Sequence, residues 1–226
     1  ALVNMGVPEI YLQAEGKKAG LYTRPIIRNN PYAQIGATYF YQPPVMGEEN
    51  LTMEGLKAEW MDLCEKGCQD FLIQGNKVMD ALQAGLNETG DSLQDLHVVP
   101  ENLISLYYIL LGISYLEADA IFTCPLDITA GKTEQGRAVS AILKRKGATA
   151  GLPIPVEGIS TFAAAILEGL SEEFQSMDGR FIVDATSYGT SQIENLAGEN
   201  TVTLYLGYYT EKNNSIFNRR LQIFGR

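Results

Sequence analysis

Across residues 49–86 the apolar side chains keep a helical step. Leu56, Trp60, Leu63, Gly67, Phe71, Gly75, Val78 and Leu82 follow one another at intervals of three or four, the spacing that aligns side chains on one face of an α-helix. A face of that length needs a core to pack against, so the middle of the chain is helical and the layers are built around it. Gly67 and Gly75 interrupt the stripe. Each costs about 1 kcal/mol relative to alanine, and a break near Gly75, giving two helices, is expected.

The helical signal continues to residue 178. Beyond the polar NETGDSLQDL, Pro100 and Glu101 occupy positions that a first turn favours. They lead into an apolar helix over residues 100–118. Thr133 is placed to cap a helix over TEQGRAVSAILKRKG, whose negative end Lys144, Arg145 and Lys146 complement. Ser160 caps another over STFAAAILEGLSEEFQSMDG, closed at Asp178-Gly179.

Both ends carry a different pattern. EIYLQAEG, GLYTRPIIRNN and YAQIGATYFYQPP are short runs rich in Ile, Tyr and Thr, bounded by turn residues as in a meander. RFIVDATSYG, NTVTLYLGYYTE and SIFNRRLQIFGR return to strand character. The last two flank Lys212-Asn213-Asn214, a suitable hairpin turn because Asn tolerates positive φ. The expected fold is a single α+β domain over residues 1–226. An antiparallel β-meander (9–42) and a C-terminal β region with a hairpin (180–226) enclose a helical region (49–178), and the terminal β regions are candidates to share one sheet.

Composition narrows the function. A net charge of −10 opposes gripping nucleic acid or an anionic membrane, tasks carried by clustered Lys and Arg. No sequence-specific nucleic-acid partner and no membrane partner are expected. The longest apolar run, Leu103–Leu116, is 14 residues, short of the roughly 20 that a bilayer helix needs. Three cysteines do not make a disulfide framework, and ALVNMGVPEI shows no signal-peptide pattern. A cytoplasmic protein is expected, or a virion protein if the chain is viral.

Motifs for chemistry are each incomplete. CPLDITAGKTEQG ends in Gly131-Lys132-Thr133, like a phosphate-binding loop, but Leu126 stands where such a loop needs its first glycine. What remains is an anion site at Gly131, Lys132 and Thr133, where a helix begins. Cys64, Cys68, Cys124 and the single histidine, His97, lack the spacing of a zinc site. With one histidine, a Ser or Cys nucleophile has few ways to find its base. No metal, cofactor or catalytic residue is assigned.

The expected function is therefore a structural or assembly subunit building a homo-oligomeric ring, tube or shell with other assembly proteins. A phage tail or connector protein is one instance. The alternative is a small enzyme or ligand-binding protein using the 124–137 loop. Self-association is expected through the last strand, with Leu221, Ile223 and Phe224 buried against a second copy.

Overall fold

A computed structural model describes residues 2–25, 38–41, 51–125, 133–146, 159–177, 180–191, 200–209 and 219–225. Six helices and two sheets are built from them: α1 (Glu9–Lys18), β1 (Tyr22–Pro25), β2 (Thr38–Tyr41), α2 (Met53–Lys66), α3 (Phe71–Thr89), α4 (Glu101–Tyr115), β3 (Ala120–Thr123), α5 (Glu134–Lys144), α6 (Thr161–Leu170), β4 (Glu173–Phe174), β5 (Phe181–Ser191), β6 (Asn200–Tyr209) and β7 (Arg219–Gly225).

The helical middle follows from its stripe. Leu56, Trp60, Leu63, Phe71, Val78 and Leu82 are all buried. The break falls between Lys66 and Phe71, not near Gly75. Gly75 lies within α3 because Trp60 occupies the space beside it; a Cβ there would meet the indole Cε2 at 2.0 Å. Thr133 and Ser160 cap α5 and α6 as expected, accepting from the N–H groups of Gly136 and Ala163. α6 stops at Leu170 instead of running to residue 178. The chain beyond it is drawn into β4, which pairs parallel to β3.

The N-terminus is not a meander. EIYLQAEGKK forms α1, in which Glu9 and Lys17-Lys18 suit the two ends of the macrodipole. Leu12 and Gly16, one turn apart, face inward, and Gly16 leaves room for the Tyr108 hydroxyl. β1 and β2 form an antiparallel two-stranded ribbon separate from the main sheet. The terminal β regions therefore do not share a sheet.

The main sheet has the order β4-β3-β7-β6-β5. β3 is parallel to both β4 and β7, while β7, β6 and β5 are antiparallel. One face closes on the helices: Ile121, Leu204, Leu206 and Leu221 belong to the same buried cluster as Trp60, Val78, Leu106 and Ile142. On the other face a row crosses four strands. The Arg220 guanidinium lies 5.1 Å from the Phe122 ring centre and 5.0 Å from that of Tyr209. Tyr209 in turn meets Phe181 edge-on at 5.1 Å.

The last strand is thus not an open edge. β7 is enclosed between β3 and β6, and Leu221 is 1% exposed. Ile223 packs on the core, and Phe224 opposes Thr203 in the ladder, its side chain lying outside the described residues. The backbone groups of β7 are paired within the chain, so the open edge expected to carry an interface at Leu221, Ile223 and Phe224 is closed. The turn expected at 212–214 lies outside the described residues.

Candidate functional site

Open sheets containing parallel strands tend to bind ligands beyond their carboxyl ends. Here that place is the end of β3, where the chain leaves for α5. It holds two separate sets of buried polar contacts. The Thr123 and Ser171 hydroxyls meet at 2.6 Å, and Ser171 is the residue after α6. One strand over, the Gln222 amide Nε2 donates to Cys124 Sγ at 3.3 Å and to the Gln175 carbonyl at 3.2 Å. Gln222 is fully buried, and its Oε1 has no partner among the described residues. Burial pushes the Cys124 thiol pKa up, while the Gln222 amide and a backbone contact from Met177 oppose the shift. A thiol so placed is a poor nucleophile at neutral pH, because the thiolate is the reactive form.

The amino ends of α5 and α6 lie side by side. Gln135, in the first turn of α5, donates from Nε2 to the carbonyl of Ile159, just before the α6 cap, at 3.4 Å. Two positive helix ends thus reinforce each other. Thr133 and Ser160 already satisfy one N–H on each helix, and Glu134 places a carboxylate in the first turn of α5. Of the three residues expected to bind an anion, only Thr133 is described, and it serves as the α5 cap; Gly131 and Lys132 lie outside the described residues.

The basic cluster at the far end of α5 serves its neighbours. Lys146 Nζ donates to the carbonyls of Glu168 and Ser171, each at 2.5 Å, and so caps the carboxyl end of α6. Desolvation lowers the Lys146 pKa, and the nearby Glu168 carboxylate opposes that shift. Arg145 approaches Glu168 at 3.6 Å and the Asp80 carbonyl of α3 at 3.4 Å. The sequence assigned these charges to the end of α5 itself; the fold uses two of them to hold α5, α6 and α3 together.

The zinc candidates are spread over separate parts of the fold. Cys64 is buried on α2 with its thiol pushed up to about 12 by burial, and Cys68 lies beyond the helix end. Cys124 follows β3, and His97 is exposed in a turn at φ 53°. Among the described residues no group of three or more His, Cys, Asp or Glu side chains is placed to hold a metal. No described helix is long and apolar enough to cross a membrane. A separate open cleft of about 520 Å³ lies where α2 begins and α3 ends, with Thr52, Glu54, Asn87 and Asp91 in its lining.

Sequence reasoning singled out neither Gln222, Ser171 nor Thr123. One signal was present: Gln222 is a polar residue set between two apolar ones, Leu221 and Ile223. The chain matches no protein-family model, no curated protein and no solved structure.

Proposed function

We propose that this protein is a structural subunit that self-associates into a homo-oligomeric ring, tube or shell together with other assembly proteins, as phage tail and connector proteins do. The observation that carries the proposal is the apolar surface of the outermost strand pair. Ile182, Val183 and Tyr188 on β5 and Val202 on β6 are all exposed, Tyr188 by 65%. β5 is the longest described strand and ends the described sheet order on that side. The ladder places Val183 and Tyr188 on the sheet face away from the helices and Ile182 and Val202 on the other, so the patch is carried by Val183 and Tyr188. Grouped apolar side chains mark an association surface more often than singly scattered ones do, and tyrosine adds contact area with a polar tip. Interface formation thus moves from the last strand to β5.

Sedimentation velocity over a concentration series tests it. The intact chain is expected to associate, and Val183→Asp with Tyr188→Asp is expected to shift it to monomer without loss of folding. A monomer at every concentration, or association unchanged by the pair of substitutions, would sink the proposal.

The paired amino ends of α5 and α6 favour a second reading, an anion site between those two helix ends. Such a site recognises charge without the backbone wrap of a true nucleotide loop, since Leu126 replaces the required glycine. Equilibrium dialysis is expected to give ATP and GTP dissociation constants weaker than about 100 μM, or roughly −5.5 kcal/mol, with magnesium present. Tighter binding would make this a nucleotide site.

A further inference from the structure

The segment Leu2–Val7 is held at both ends and lies against the outer side of β5. Leu2 occupies a notch on α4 that Gly112 leaves open; a Cβ at that glycine would meet Leu2 Cδ1 at 2.7 Å. Val7 is buried in the core. Between these anchors a 3-10 turn, Val3–Met5, packs on β5. Gly6 redirects the chain after it at φ 106°, a left-handed conformation that favours glycine. From this turn Asn4 Nδ2 donates to the Tyr188 carbonyl at 3.2 Å.

That hydrogen bond identifies which way Tyr188 faces. β6 occupies one side of β5, and no described strand lies on the other. A carbonyl that accepts from Asn4 points away from β6, and in an antiparallel ladder the N–H of the same residue points the same way. Tyr188 therefore presents edge groups to which another strand would bond.

We infer that residues 2–7 are a guard on the edge of β5. The Asn4 amide stands in for the N–H of a next strand, and release of the guard opens β5 to antiparallel pairing with β5 of a second copy. An exposed edge is a template for unwanted pairing, and folds blunt it with bulges, charges or covering segments. β5 has all three: the register shifts between Val183 and Ala185, exposed Asp184 sits at that shift, and the guard lies farther along at Tyr188. The bulge and charge are permanent, whereas the guard's hydrogen bond to the edge comes from one exposed side chain, Asn4. A second copy is the occupant because an antiparallel edge is self-complementary about a two-fold axis. Exposed Tyr188 and Val202 also bring apolar area to that end of the strand pair. The identity of the occupant rests on the assembly function proposed above.

The test compares four chains by sedimentation velocity, with circular dichroism to check folding: the intact chain, Asn4→Ala, Leu2→Ala with Asn4→Ala, and that double variant with Tyr188→Pro. Proline removes the outward N–H and is tolerated at an edge. The double variant is expected to associate at about tenfold lower concentration than the intact chain, and Tyr188→Pro is expected to reverse the gain. Asn4→Ala alone changes only an exposed side chain and is expected to shift association in the same direction if the double variant misfolds. Association of the guard variants no stronger than that of the intact chain overturns the guard. If the intact chain still associates, the assembly proposal stands through another surface. Guard variants that associate while the intact chain never does support the guard and count against the assembly proposal. A gain that survives Tyr188→Pro overturns pairing through this edge.

Discussion

Replacing Gly169 with alanine is expected to destabilise the protein by about 3 kcal/mol, the upper part of the range for overpacking a tight interior. Gly169 lies on the face of α6 that packs on α3. A Cβ there would stand 2.7 Å from both the Cα and the N of Val78 and 2.9 Å from the carbonyl carbon of Lys77. These are backbone atoms of a helix, and they cannot rotate away. The whole crossing of α3 and α6 would have to widen, and α6 has little slack, since Ala164 and Ala165 are fully buried. Widening it would also disturb the carboxyl end of α6, where Lys146 holds the carbonyls of Glu168 and Ser171. Gly67→Ala is a useful contrast. Its new Cβ would also be crowded, but the nearest atom is the Tyr107 hydroxyl, at the end of a side chain, so a smaller loss is expected. Denaturant unfolding of the two variants gives the comparison directly. For a chain of this size a loss of about 3 kcal/mol lowers the melting temperature by roughly 10 °C. A Gly169→Ala loss below about 1 kcal/mol would show that the two helices separate easily and that this crossing is not close-packed.

The helices were legible because each carries its own signal. The stripe from Leu56 to Leu82, the caps Thr133 and Ser160, and the apolar run of α4 are local facts, decided within a turn or two of chain. α1 was not legible. Its buried face within the helix comprises only Leu12 and Gly16, and tyrosine and isoleucine beside them mimic a strand. The sheet failed for another reason. β3 is four residues, AIFT, and β4 only two; neither has enough length to show a period. Yet β3 decides the position of β7, because it covers the side of the last strand that the sequence left open. An edge is a property of the assembled sheet, and no segment displays it alone. The contacts at the end of β3 were hidden in the same way. Thr123 and Ser171 are far apart in the chain, as are Cys124 and Gln222, and each pair meets only after β3, α6 and β7 are in place.

Trp60 and Gly75 are expected to behave as one unit, and a double-mutant cycle would show it. Trp60 is fully buried on α2, with its ring at 6.4 Å and 65° to that of Tyr107. It lies over Gly75 of α3 so closely that a Cβ there would meet indole Cε2 at 2.0 Å and Nε1 at 2.1 Å. Trp60→Ala is expected to cost about 4 kcal/mol, from lost burial and the cavity it leaves. Gly75→Ala is expected to cost about 3 kcal/mol by expelling the indole from its seat. Trp60→Phe should be milder than its loss of volume implies, since indole Nε1 is buried with no hydrogen-bond partner among the described residues. Removing an unpaired donor returns part of what the smaller ring gives up. The phenylalanine ring also vacates space beside residue 75. Combining Trp60→Phe with Gly75→Ala is therefore expected to cost less than the sum of the two changes, by at least about 1 kcal/mol, within the range found for residues in contact. Strict additivity would mean that alanine at 75 is accommodated by movement of α3 as a whole. In that case Gly75 would be tolerated by the helix, not required by the tryptophan, and the stripe that organises the chain would owe nothing to this pair.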